Sequence, residues 1–373
     1  MDSKHCIRFA DAADLSDIPS ESVHLVVTSP PYPMIEMWDP LFRRTKTIDK
    51  ALRRQKGRQA FELMHLQLDR VWEELHRVLV PGGVACINIG DATRTLDNEF
   101  ALYPNHSRIL TQMISLGCTN LPNILWRKQT NAPNKFMGSG MMPPGAYITL
   151  EHEYVLIFRK GGKRLFKSEK EKFNRRQSAF FWEERNHWFS DVWMDLKGTR
   201  QKTGDKKLRQ RSGAFPFELA YRLICMFSVM GDTVLDPFLG TGTTMFAAAC
   251  ANRNSVGVEL DKAFRAPIAE GMEQIVAQGC KRIAKRFRTH ERFVQERTDS
   301  GKQIKYTSKV YGFPVITRQE IELFLPLPES VKKLTSTRWQ VSYQSLSDLP
   351  ENVQQKDIRK PVSKEFGQLK LFE

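Results

Sequence analysis

Thr233-Val234-Leu235-Asp236-Pro237-Phe238-Leu239-Gly240-Thr241-Gly242-Thr243-Thr244 is the stretch that decides the fold. Its first residues form a short buried strand, a glycine-bearing loop follows, and residues 245–251 read as the helix that the loop opens. Residues 255–258 are the next strand, and it ends on Glu259. Glycines let the backbone approach a ligand closely and adopt positive φ. A carboxylate at the end of the second strand is placed to take both hydroxyls of a ribose. The loop is not G-x-G-x-x-G, and no Lys stands near the helix start, so a phosphate-cradling loop is excluded. A leading Asp followed by Pro suits a cofactor with a cationic amino-acid end better than a pyrophosphate, with Asp236 on the ammonium side and Glu259 on the ribose.

A second strand end carries different chemistry. Val23-His24-Leu25-Val26-Val27 reads as a buried parallel strand and runs straight into Thr28-Ser29-Pro30-Pro31-Tyr32. Two prolines fix φ and remove two backbone donors, so the chain leaves the sheet on one stiff, extended path. Ser29 and the Pro30 carbonyl are then acceptors beside the flat face of Tyr32. That set suits gripping a planar ring that bears an amino group.

The rest of the chain supplies the frame. Residues 7–9, 84–89, 123–127 and 147–158 read as further strands, the last as one long strand or a pair. Helices are expected over 61–79, 107–116, 217–227, 261–277 and 281–297, with Pro81-Gly82-Gly83 closing the first in a tight turn. Residues 33–58 read as a basic loop. Strand and helix alternating in this way predict an α/β fold, a doubly wound parallel sheet with helices on both faces. Residues 159–211 break the rhythm, with Lys and Arg interleaved among Phe and Trp, as suits a surface that meets phosphates and stacks on bases. The division expected is 1–158 and 212–278 as two halves of one domain, 159–211 as an insert, and 279–373 as an extension without an assigned role.

Composition narrows the partners. The 373 residues include 57 Lys and Arg against 42 Asp and Glu, a net charge of +15, which points to a polyanion and most simply to nucleic acid. The six cysteines are scattered with no C-x-x-C pair, so neither a zinc site nor a disulfide framework is expected, and no metal is assigned. No signal peptide or membrane-length apolar run stands out, so a cytoplasmic protein without a membrane partner is expected.

The two motifs in this order resemble the amino-group DNA methyltransferases that use S-adenosylmethionine, in their circularly permuted, β-type arrangement. The resemblance spans roughly residues 5–270 and takes in Arg77-Val78-Leu79-Val80-Pro81-Gly82-Gly83, Glu151-His152-Glu153-Tyr154-Val155-Leu156-Ile157-Phe158-Arg159-Lys160, Ala214-Phe215-Pro216-Phe217-Glu218-Leu219-Ala220 and Gly257-Val258-Glu259. It implies a Rossmann-like methyltransferase sheet with 159–211 as the target-recognition region. It implies that Ser29 and the Pro30 carbonyl accept from the target amine, that Pro31 completes the catalytic motif, and that Tyr32 stacks on a base flipped out of duplex DNA. Asp236, Phe238, Gly240, Thr241 and Gly242 would line the methionine side of the cofactor, with Thr28, Pro237 and Thr243 completing the set. Glu259 would hold the ribose, Asp11 would lie beside the adenine, and Phe215 and Pro216 would cover the cofactor. Arg43, Arg44, Lys46, Arg53 and Arg54 are expected on DNA phosphates, and Lys163, Arg164, Arg175, Arg176 and Arg200 on bases. In this family a Ser at the first catalytic position usually accompanies cytosine 4-amino methylation, and Asp or Asn adenine 6-amino methylation. The resemblance further implies a bacterial or archaeal restriction-modification setting with a possible cognate restriction endonuclease. Monomer and homodimer both stay open, as do adenine 6-amino methylation by the same fold, an RNA substrate and a catalytically inactive nucleic-acid-binding protein.

Overall fold

The computed structural model describes residues 1–128, 140–198 and 215–345. In chain order the elements begin with β1 (Asp2–Phe9), β2 (Val23–Thr28), α1 (Asp39–Phe42), α2 (Lys46–Arg53), α3 (Gly57–Val78), β3 (Leu79–Ile89), β4 (Ala92–Leu96) and β5 (Glu99–Tyr103). They continue with α4 (Asn105–Ser115), β6 (Cys118–Arg127), β7 (His152–Lys160), α5 (Glu169–Gln177), α6 (Trp182–Trp188) and β8 (Val192–Trp193). Next come α7 (Phe217–Phe227), β9 (Thr233–Asp236), α8 (Thr243–Cys250), β10 (Asn254–Glu259), α9 (Arg265–Glu273) and α10 (Ile275–Asp299). The short strands β11 (Tyr306–Thr307) and β12 (Pro314–Val315) and the hairpin β13 (Pro328–Thr335) and β14 (Arg338–Tyr343) complete the described chain.

A single ten-stranded sheet runs β13-β14-β1-β10-β9-β2-β3-β7-β6-β8. Its centre, β1-β10-β9-β2-β3, is parallel throughout, and β7 then lies antiparallel to both β3 and β6. The central strands are buried on both faces. Leu25 and Val27 pack on one side with α7 and α8, whereas Val26 packs on the other with Trp72 and Leu75 of α3 and Ile109 of α4. The sheet is therefore doubly wound and Rossmann-like, and it is mixed where the sequence suggests an all-parallel sheet.

Local expectations shift in three places. The basic stretch 33–58 is largely helical, because Ile48, Ala51 and Leu52 of α2 bury against Phe61 and Met64 of α3 while the charges face outward. Pro81-Gly82-Gly83 lies inside the opening of β3, where Gly82 at φ +81° lets the strand pass the backbone nitrogen of Arg164, 2.5 Å from where a Cβ would stand. Residues 147–151 precede β7, which is a single strand.

Residues 160–198 and 279–345 are woven into the main body. Phe181, at the start of α6, stacks on His290 of α10 at 4.0 Å, and Arg286 meets Glu184 through two 2.6 Å hydrogen bonds with both side chains buried. Trp188 and Trp193 lie in the main apolar cluster, and β8 extends the sheet beside β6. At the other end β14 pairs with β1, placing Trp339 opposite His5.

Candidate active site

In a parallel sheet, loops at the carboxyl ends of the strands build the ligand crevice. Here those ends are Phe9, Thr28, Ile89, Asp236 and Glu259. β2 and β9 are neighbours, and their last residues touch: Thr28 Oγ1 donates to Asp236 Oδ1 at 2.6 Å. Thr244 Oγ1 donates to the other carboxylate oxygen at 2.7 Å, and the Phe238 N–H to Oδ1 at 3.0 Å. Burial pushes the Asp236 carboxyl up to about 6 despite these three donors, which pull it down. Asp236 thus joins the two loops.

The glycine loop closes around this carboxylate. Gly240 and Gly242 take φ of +54° and +94°, and Gly242 caps α8. A Cβ on Gly240 would meet only the Phe238 carbonyl oxygen, at 3.9 Å, so this side of the loop is open to a ligand. Glu259 Oε2 accepts from the Gly240 N–H at 2.8 Å and Oε1 from the Asp261 N–H at 2.9 Å. Each oxygen keeps a lone pair for a hydroxyl donor, and burial raises the carboxyl above its usual range. Asp11 is exposed just past β1, whose Phe9 pairs with Glu259, so the expected adenine and ribose positions are adjacent. Phe215 is buried in the main cluster, Pro216 caps α7, and Phe238 sits edge-on to Trp72. Pro237 is buried, while Thr241 and Thr243 are partly exposed on the loop. An open glycine cradle beside a partly satisfied carboxylate fits a ligand with a ribose diol.

Across the seam, Ser29 and Tyr32 begin a hydrogen-bonded chain. Ser29 Oγ donates to Tyr32 Oη at 3.1 Å, and Tyr32 Oη donates to Glu153 Oε2 at 2.9 Å. Asn88 Nδ2 donates to both Tyr32 Oη (2.8 Å) and Glu153 Oε2 (2.7 Å), and Lys128 Nζ meets Glu153 Oε1 at 2.7 Å. Burial and then the Glu153 charge raise the Tyr32 phenol well above its usual range. Pro30 and Pro31 are buried behind the loop, and Asn105 at the start of α4 donates to the carbonyls of Pro33 and Gly90. Asn88, Lys128 and Glu153 are not assigned from sequence. Their signal is visible in retrospect: Asn88 interrupts an apolar strand, and Glu153 stands in the quoted Glu151–Lys160 motif.

The basic residues divide between the two edges of the sheet. α1, α2 and the β4–β5 hairpin form the cluster that includes Met34, so Arg44, Lys46 and Arg54 are exposed on the same edge as Tyr32. Arg43 and Arg53 are there too, both paired with Asp49. Lys163, Arg164, Arg175 and Arg176 are not brought to this edge. Because β7 runs antiparallel to β3, its end delivers them to the opposite one, where Arg164 grips Asp232 at 2.6 and 2.9 Å. Arg175 lies over Phe166 and Arg176 pairs with Glu322. Arg200 lies outside the described residues. Glu183, His290 and Glu320 bring donor atoms within 4.8 Å of one another. Both His290 ring nitrogens already face acceptors, Glu183 Oε1 at 3.0 Å and the Pro314 carbonyl at 2.9 Å, which describes an imidazolium tie. Among the described residues no helix is long and apolar enough to cross a membrane.

The profile of a DNA methylase family matches residues 23–270. Type II methyltransferase M.MthZI of Methanothermobacter thermautotrophicus is 50% identical over 353 residues, 94% of this chain and 98% of that protein. Type II methyltransferase M.MjaI of Methanocaldococcus jannaschii is 50% identical over 280 residues, 72% of this chain and 90% of the relative. Among solved structures, TTHA0409 of Thermus thermophilus, a putative DNA modification methylase complexed with S-adenosyl-L-methionine, is 34% identical with a TM-score of 0.56. That likeness covers 71% of this chain and 92% of the other.

Proposed function

Because this chain belongs to the DNA methylase family, we propose that it transfers a methyl group from S-adenosylmethionine to the 4-amino group of cytosine in duplex DNA. The observation that carries the reading is the Thr28–Asp236 seam, which sets the Ser29–Tyr32 loop and the glycine loop side by side on one sheet edge. The cofactor supplies an electrophilic methyl on a sulfonium, which needs in-line positioning and no further activation. An exocyclic amine is a poor nucleophile because its lone pair is delocalised into the ring. Acceptors at Ser29 and the Pro30 carbonyl hold its protons and meet the positive charge that develops on nitrogen. The base must leave the stack to reach them, and the Tyr32 ring face offers replacement stacking.

Ser29 at the first acceptor position supports cytosine over adenine. Arg44, Lys46 and Arg54, exposed on the same edge, suit phosphates flanking the flipped base. Two relatives named as type II methyltransferases support a restriction-modification setting with a cognate endonuclease. Mass spectrometry of nucleosides from plasmid DNA treated with the protein tests the reading directly. N4-methylcytosine is expected, and N6-methyladenine alone would overturn the assignment of the base.

A further inference from the structure

We propose that Glu153 sets the polarity of the Ser29–Tyr32 pair and is the final acceptor of the proton that the methylated amine must lose. This rests on the amino-methyltransferase reading above and extends it to a residue outside the catalytic loop.

Valence carries the case. A phenol has one proton and two lone pairs. Tyr32 Oη uses all three, accepting from Ser29 Oγ and Asn88 Nδ2 and donating to Glu153 Oε2. An ionised carboxylate only accepts, so Glu153 fixes the direction of the whole chain. The Ser29 proton is thereby committed to Tyr32, and both lone pairs of Ser29 remain for the N–H groups of a target amine. A serine hydroxyl free to rotate would present its own proton to that amine part of the time. Lys128 Nζ on Oε1 holds the carboxylate in place, with only 12% of the Glu153 side chain exposed. The high phenol pKa keeps Tyr32 protonated, so it passes a proton on and does not itself become the base.

The same chain runs forward as a relay. The nitrogen–methyl bond forms as the methyl–sulfur bond breaks, with the electron pair staying on sulfur. The nitrogen, now cationic, gives a proton to Ser29 Oγ as the Ser29 proton passes to Tyr32 Oη and the Tyr32 proton to Glu153 Oε2. A neutral methylamine, neutral Ser29 and Tyr32, and a protonated Glu153 result, and the last loses its proton to solvent.

Single-turnover methylation, with cofactor and DNA affinities measured separately, tests this. Glu153→Gln should slow the step by about 10²-fold, the scale of proton-transfer catalysis, with both affinities unchanged. Tyr32→Phe, which keeps the stacking face, should cost the same, and the double variant no more than either, because the two act as a unit. Formate should restore part of the rate to Glu153→Ala. In the cofactor-free protein the Tyr32 phenol, assigned by difference from Tyr32→Phe, should titrate at lower pH in Glu153→Gln. A Glu153→Gln rate within threefold of the unsubstituted protein, or additive losses in the double variant, would overturn the inference while leaving the parent reading intact. No turnover of the unsubstituted protein on duplex DNA would sink both.

Discussion

Asp236 is a carboxylate placed where ionising it is costly, and three donors hold it there. Its carboxyl is raised from 3.8 to about 6 in the fold, so its contribution to stability is fully present below pH 4 and is lost as pH rises through about 6. By linkage this amounts to roughly 3 kcal/mol between those limits. Denaturant titrations across that window should show the loss in the unsubstituted protein and its absence in Asp236→Asn. Ser29→Ala tests the other side of the seam. It should abolish turnover, a drop of at least about 10²-fold, while calorimetric cofactor affinity survives. The loops that end β2 and β9 were legible because SPPY and DPFLGTG are compact runs. Asn88, Lys128 and Glu153 were not, because Asn88 and Glu153 reach Tyr32, and Lys128 reaches Glu153, only when β3, β7 and β6 lie side by side, and no local spacing reports that pairing.

Charge on α2 shows what an element can conceal. The stretch is so basic that it reads as a loop, yet Ile48, Ala51 and Leu52 fall on one face and bury. Arg43 and Arg53 share Asp49, whereas Arg44, Lys46 and Arg54 are exposed. Reversing those three charges should weaken binding to all duplex sequences alike and reduce the slope of log K against log salt by up to about 3, near 0.9 for each phosphate no longer neutralised. An unchanged slope would remove α2 from the DNA interface. The aromatic residues of 159–198 carry the opposite lesson. Phe181, Trp188 and Trp193 sit in apolar clusters, so their mixture with Lys and Arg records a packed element with a charged outer face. Composition could not separate these cases, since both interleave the same residue types. The direction of β7 decides which edge a basic run reaches, and the sequence of 159–178 does not encode it.

At the scale of the molecule the parallel centre was legible from its apolar runs, but the ends of the sheet were not. Residues 328–343 look polar because only alternate positions of β14 bury: Trp339, Val341 and Tyr343 face inward. Tyr343 Oη reaches Ser3 Oγ at 2.7 Å and the Ala249 carbonyl at 2.5 Å, tying the hairpin to β1 and α8. Trp339→Ala should therefore cost about 3–5 kcal/mol in denaturant unfolding. The strand order β1-β10-β9-β2 also bears on synthesis. The first two strands leave the ribosome with a space two strands wide between them, and the chain that fills it is made some two hundred residues later, the Thr28–Asp236 bond alone spanning 208 positions. Long-range pairing of this kind is slow and leaves strand edges exposed in the meantime. Ribosome-stalled chains ending before Thr233 should show no protease-resistant core, and chains extended through Tyr343 should. A nascent chain that stops short of Asp236 then carries the Ser29–Tyr32 loop without the strand that anchors it, and the pocket first closes only once β9 and β10 have been made.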